Sequence, residues 1–329
     1  MLLPLPVVAG CDQGTPDSDP ARGPDLHLTA VYPAPEQGVD CTPQSPDDCG
    51  IPRDAPILLR FDRYLRPSTA VRQSIRVTSG SEEVSAGFLQ PEYDVIERVL
   101  VFRRQKGALL EPGALYTIEL VAPSEDSEFG LEAYDGAPLV NGDVPLRFDF
   151  RAARAAPPDR EPPPAREAVP TDVTFFGTCN NTACHNSAES ATSDVPRMGL
   201  DLASVQGIKT TAISKVAHQT DFAAKVGVPL ENPARFGVNL PVIDPNRPGN
   251  SYLLYKLLRK PENYGPDGCT SRYTDLPLAQ GECLYREDES ERLREWFVRG
   301  DAMPRGADQA VTLDRMREIQ AWIRGGAKL

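Results

Sequence analysis

Ile57-Leu58-Leu59-Arg60-Phe61-Asp62 sets Ile57, Leu59 and Phe61 on one side of an extended chain and Leu58, Arg60 and Asp62 on the other. Successive side chains of a strand point to opposite faces, so this pattern predicts one face on a core and one in water. Tyr116, Ile118 and Leu120 alternate with Thr117 and Glu119 in the same way, as do Leu146, Phe148 and Phe150 with Arg147 and Asp149. Further strands are predicted at Leu26–Tyr32, 74–78, 84–89 and Val99–Phe102. About seven short strands within residues 25–152 describe an all-β sandwich. Leu110-Glu111-Pro112-Gly113-Ala114-Leu115-Tyr116 is a turn feeding a strand, and it positions Tyr116 for a corner bond back to the chain just upstream.

Three groups of residues sharpen this reading: Val31-Tyr32-Pro33, the strand from Ile57 to Asp62 followed by Leu65, and Leu110…Pro112-Gly113…Tyr116 ahead of Phe148-Asp149-Phe150. On these, residues 25–152 resemble the SbsA-type bacterial Ig-like family first described in S-layer proteins. The resemblance implies an Ig-like β-sandwich acting as a spacer or binding module, since its motifs concern folding rather than chemistry. Cys41 and Cys49 bracket a short acidic loop, and a disulfide closing it is the simple expectation. Asp40, Asp47 and Asp48 in that loop are also the residue type of a calcium site, although carboxylates at bends are usually solvated. His27 falls in the first strand and reads as a surface or packing residue.

Residues 1–10, MLLPLPVVAG, are apolar throughout and run into Cys11. Val8-Ala9-Gly10-Cys11 resembles the bacterial lipobox, in which small residues let the peptidase close on the backbone before the cysteine is acylated. No Lys or Arg precedes the apolar run, a departure from the usual positive start. The resemblance implies a lipoprotein signal peptide at 1–10, a lipid on Cys11 and a tether at 11–24 rich in Asp, Pro and Gly. The mature chain is then expected in the cell envelope, periplasmic or at the cell surface, where disulfides persist. Six of the seven cysteines remain for other roles.

A second boundary falls at 153–172, where Pro157-Pro158 and Pro162-Pro163-Pro164 forbid helix and favour an extended linker. Charge divides there too: residues 1–172 hold 16 basic against 28 acidic side chains, and 173–329 hold 19 of each. The net charge of −12 argues against a nucleic-acid partner held by phosphate neutralisation. No run of 18 apolar residues is present to span a membrane as a helix.

Residues 173–329 read as an all-α domain. Leu253, Leu254, Leu257 and Leu258 form one helical face behind a cap at Asn250-Ser251. Leu293, Trp296 and Phe297 follow the acidic start Asp288-Glu289-Ser290-Glu291. The last helix begins after Thr312, turns Met316, Ile319 and Ile323 inward and stops at Gly325-Gly326. Cys269 and Cys283 bracket an insertion ahead of the Trp296 helix and are expected to be joined as a disulfide.

Cys179-Asn180-Asn181-Thr182-Ala183-Cys184-His185 carries the chemistry. Two cysteines followed directly by a histidine serve a c-type haem: the thiols add to the vinyl groups and the histidine becomes the proximal iron ligand. Four residues separate the cysteines here, where two are usual. Met303-Pro304 lies in the loop before the last helix, a place suited to a distal thioether ligand, with Met198 and His218 as rivals for that position. Phe175 and Phe176 are expected to pack on Trp322. A disulfide between Cys179 and Cys184 in a haem-free scaffold is the alternative, and a zinc site built on the same three residues lacks an evident fourth ligand.

Met198-Gly199-Leu200-Asp201-Leu202, Asp244-Pro245, Ser251 to Leu257, Met303-Pro304-Arg305-Gly306 and Ile319 to Ala327 occur in that order. The series resembles the cytochrome c-like domains of large bacterial surface and periplasmic proteins, including the planctomycete type, over nearly all of 173–329. It implies one covalent haem c on Cys179 and Cys184, iron ligated by His185 and Met303, and one-electron transfer to a redox partner protein. The sequence contains no GxSxG, HExxH or phosphate-loop GK[ST] pattern, and three histidines leave little for metal hydrolysis. A lipid-anchored electron carrier is therefore expected. The rivals are a haem-free surface adhesion lipoprotein and an enzyme with an open haem position.

Overall fold

The strand Ile57–Phe61 is the middle strand of the larger of two sheets in the computed structural model, which describes residues 21–124, 129–157, 199–217, 220, 239–298, 301–304 and 310–329. In chain order the strands are β1 (Leu26–Tyr32), β2 (Ile57–Phe61), β3 (Ile75–Ser79), β4 (Glu82–Glu83), β5 (Glu92–Asp94), β6 (Val99–Phe102), β7 (Leu115–Leu120), β8 (Leu139–Val140) and β9 (Arg147–Arg151). One sheet has the order β5-β6-β2-β1-β8 and the other β4-β3-β7-β9. All pairs are antiparallel except β1 with β8.

Register follows the apolar pattern. Leu59 stands opposite Val31 on one side and Leu100 on the other, and Ile118 stands opposite Val77 and Phe148. The inward residues of both sheets belong to one buried cluster, including Leu59, Phe61, Leu100 and Phe102 from the first and Val77, Ile118, Phe148 and Phe150 from the second. Tyr116 stacks on Phe150 at 5.4 Å, and its hydroxyl accepts a 2.8 Å hydrogen bond from the Glu111 backbone N–H, closing the corner expected from the sequence.

The second face of β2 departs from the sequence expectation. Every residue of β2 is buried, because Leu58 packs with Val99, Val101 and Leu276, and Arg60 donates to the Leu276 carbonyl and to Ser271 Oγ. A face that would meet water in a free sandwich is covered by the C-terminal half. Segment 84–89 also departs: it contains a 3-10 turn at Ser85–Gly87 and a single bridge at Phe88 in place of a strand. The Ser85 hydroxyl takes the hydrogen bond of the Val77 backbone N–H that a neighbouring strand would otherwise take.

Among the described residues four helices follow: α1 (Val205–Thr211), α2 (Tyr252–Leu258), α3 (Glu287–Trp296) and α4 (Leu313–Arg324). Ser204 caps α1 by accepting from Gly207 N, and Thr312 caps α4 by accepting from Arg315 N. Ser251 precedes α2 but does not cap it with its side chain; its hydroxyl accepts from Asp244 N, while Asn250 Nδ2 donates to Asp244 Oδ2 at 2.6 Å. All of α2 is buried. The helical residues join the same cluster as the sandwich core, so the described parts of the two halves share their interior. Aromatic rings span the seam: Tyr64 from the sandwich meets Tyr255 of α2 edge-on at 5.9 Å, and Tyr134 meets Phe297 edge-on at 6.1 Å.

Both expected disulfides are present in the described chain, Cys41–Cys49 and Cys269–Cys283. The Cys41–Cys49 loop is held to the end of the sandwich, where the Arg154 and Ala155 N–H groups donate to the Asp47 carbonyl and Arg154 Nε lies 3.2 Å from the Asp47 carboxylate. Asp47 is thus engaged by an arginine. Among the described residues no group of three or more His, Cys, Asp or Glu is placed to hold a metal ion.

Candidate functional site

Met303 sits in the short segment 301–304 between α3 and α4, partly buried against the apolar cluster. The end of α2 and the residues after it fix this segment through the main chain. The Met303 N–H donates to the Lys256 carbonyl at 3.1 Å, and the Met303 carbonyl accepts from Asn263 Nδ2 at 3.0 Å. Lys256 Nζ donates to the Asp301 carbonyl and Lys260 Nζ to the Pro304 carbonyl, so bonds grip the segment on both sides of the methionine. Asn263 is fully buried; its Nδ2 also reaches the Leu257 carbonyl, and its Oδ1 accepts from Val311 N at the entry to α4. Arg259 Nη1 donates to the Val298 carbonyl, and burial lowers its pKa. The Met303 side chain, partly buried against that cluster, carries a thioether, a soft donor group.

The other sequence-derived residues, Cys179, Cys184, His185, Met198 and His218, lie outside the described residues, as do Cys11, Phe175 and Phe176. Trp322 is buried on α4 and donates from Nε1 to the Lys328 carbonyl. His27 is half-exposed on β1, where Nδ1 lies 3.1 Å from Asp62 Oδ2 and its N–H donates to Asp62 Oδ1.

Two buried charge clusters at the seam were not read from the sequence. In the first, Arg63 binds Asp135 through both terminal nitrogens and Glu289 of α3 through Nε at 2.9 Å. Burial raises the Glu289 pKa more than Arg63 lowers it. Burial also opposes ionisation of Asp135, but the Arg63 guanidinium and the N–H groups of Gly23 and Ala137 outweigh it and hold that carboxyl below the usual range. In the second cluster Glu97 meets Arg60 and Arg317, while Asp94 meets Arg272, the Tyr273 hydroxyl and Gln320 Nε2. Burial lowers the Arg60 pKa despite Glu97. One sequence signal was available: Asp94-Val95-Ile96-Glu97-Arg98 puts three charges around an apolar pair, as a turn entering a buried seam requires.

The sequence matches no known family and no curated protein. Among solved structures there is a distant similarity to bacterial S-layer protein SbsC. The S-layer protein rSbsC(31-844) is 12% identical with a TM-score of 0.24, over 38% of this chain and 13% of that one. The N-terminal part of SbsC is 11% identical with a TM-score of 0.26, over 39% of this chain and 24% of that one. This chain therefore spans less than a quarter of either S-layer chain, and a likeness this partial carries no inference about activity.

Proposed function

We propose that this protein is an extracytoplasmic, lipid-anchored c-type cytochrome that carries one covalent haem and passes single electrons to a redox partner protein. The observation that carries the reading is Cys179…Cys184-His185, followed downstream by a methionine held on a clamped segment. Cys179 and Cys184 would anchor the group, His185 would be the proximal ligand and Met303 the distal one. Bound there, haem supplies a one-electron iron couple.

The chain's own contribution is to hold position and exclude water. Bonds from Lys256, Lys260 and Asn263 restrict movement of the Met303 backbone. Apolar residues around Met303 suit a low-dielectric site, in which thioether ligation raises the reduction potential. The all-α region that carries these residues is read as cytochrome c-like, and the two-sheet region as an Ig-like sandwich fixed to it by buried ion pairs. Two disulfides fit an oxidising compartment at the periplasm or cell surface, with the lipid on Cys11 as the membrane contact.

The test is a pyridine haemochrome spectrum of the full chain, secreted together with a c-type maturation system and extracted with acid–acetone. A haem spectrum retained by the protein after extraction supports the reading. A colourless chain in which Cys179 and Cys184 are joined to each other overturns it and leaves a haem-free surface-binding protein.

A further inference from the structure

Residues 270–282, closed off by the Cys269–Cys283 bond, cover the outer side of β2 and β6. All of them are among the described residues, and they form turns and irregular links with no helix or strand. Leu276 is the one residue of the segment that is buried, and its side chain packs on Leu58, Val99 and Val101.

The remaining hold on the sandwich is polar. Ser271 Oγ accepts from Arg60 Nη2 at 2.6 Å and donates to Glu97 Oε2 at 3.2 Å. The Arg272 N–H donates to Glu97 Oε1, its guanidinium pairs with Asp94, and the Tyr273 hydroxyl donates to Asp94 Oδ2 at 2.9 Å. Asp94 and Glu97 are fully buried under this cover. Taking such ions out of water costs about what their pairing returns, so these contacts come close to cancelling. A single buried leucine then stands against the entropy of ordering the whole segment. Closure therefore depends on the cross-link at its base.

Opening leaves the rest of the seam intact. Arg317 of α4 still meets Glu97 at 2.7 Å, and Gln320 still donates to Asp94 at 2.9 Å, so both acids keep a partner while water reaches them. The bond itself is within reach of a reagent. Cys269 is exposed, and Cys283 is half-buried on the wall of a cleft of about 520 Å³ beside β1 and β2. Exposed disulfides are the readily reduced ones, whereas buried structural disulfides resist.

We propose that Cys269–Cys283 is a redox-operated clasp, opened by a dithiol reductant, that controls whether segment 270–282 covers the outer face of β2 and β6. A thiolate of the reductant bonds to one cysteine sulfur as the Cys269–Cys283 bond breaks. The second thiol of the reductant then displaces that mixed disulfide. Cys269 and Cys283 become thiols, the reductant becomes a disulfide, and two electrons and two protons pass to the protein. The segment leaves, and Leu58, Val99 and Val101 meet water. Reoxidation closes the clasp.

The experiment treats the full chain in native buffer with dithiothreitol, labels thiols with iodoacetamide and locates the labels by peptide mass. Amide hydrogen exchange is followed in parallel. Labelling of Cys269 and Cys283, with exchange at residues 271–284 faster by about tenfold or more and β7 and β9 unchanged, supports the proposal. Reoxidation should restore the slow exchange. The proposal is overturned if these cysteines label only after the chain unfolds in urea, or if they label and exchange at 271–284 does not change. Equal acceleration of β7 and β9 also overturns it, since the bond would then support the whole fold rather than a cover. The labels on Cys269 and Cys283 are read separately from Cys179 and Cys184, so no outcome depends on whether haem is attached.

Discussion

Arg63 and Glu289 are 226 positions apart in the chain, yet Nε of one lies 2.9 Å from Oε1 of the other, with both side chains about 1% exposed. The Glu289 carboxylate also accepts from the Tyr64 N–H, so the first turn of α3 is fixed to the strand exit after β2. Removing Arg63 would leave Asp135 and Glu289 buried without their main cation. Arg63→Met should therefore destabilise the fold by about 3–5 kcal/mol, read as a lower urea midpoint. An unchanged midpoint would mean that the two halves are not joined through this pair.

The two acids of this cluster should respond to pH with opposite signs. Asp135 has a folded pKa below its unfolded value, so it contributes stability above about pH 4 that is lost as pH falls through the folded value. Glu289 has a raised folded pKa, so its contribution is present at low pH and lost as pH rises through the folded value. Relative to wild type, Asp135→Asn should lose ground as pH rises from about 2 to 5, while Glu289→Gln should gain as pH rises from about 4 to 7. Urea unfolding across that pH range measures both differences.

The Cys269–Cys283 loop carries Ser271, Arg272, Tyr273 and Leu276, all of which contact the sandwich. Replacing both cysteines with alanine should cost about 2–4 kcal/mol of stability. Hydrogen exchange should then accelerate first at residues 271–284, ahead of β7 and β9. Uniform acceleration throughout the chain would show that the loop does not open as a local unit.

On haem-loaded protein, Met303→Ala should lower the reduction potential and create a carbon monoxide-binding position at the iron. If the variant behaves as wild type in both respects, the distal ligand is another residue, with Met198 and His218 next to be substituted.

Much of the sandwich was legible because a period of two is a local signal. β1, β6, β7 and β9 appear within a residue of their expected limits, as does α4 between Thr312 and Gly325. The outer face of β2 was misread because nothing within Ile57–Phe61 reports that Leu276 and Ser271 will cover it. In the sequence Glu289 is one of several acids at a helix start, and only its contact with Arg63 distinguishes it. For the proposed haem site, the sequence supplied the residue types; of these only Met303 lies among the described residues, where main-chain bonds hold its segment.

The most direct measurement is the intact mass of the mature full chain, compared with Cys179→Ala/Cys184→Ala, after secretion with c-type maturation. The account predicts one covalent haem on the wild-type chain and none on the variant. A wild-type mass that includes no haem, with Cys179 and Cys184 two hydrogens short of free thiols, would contradict it.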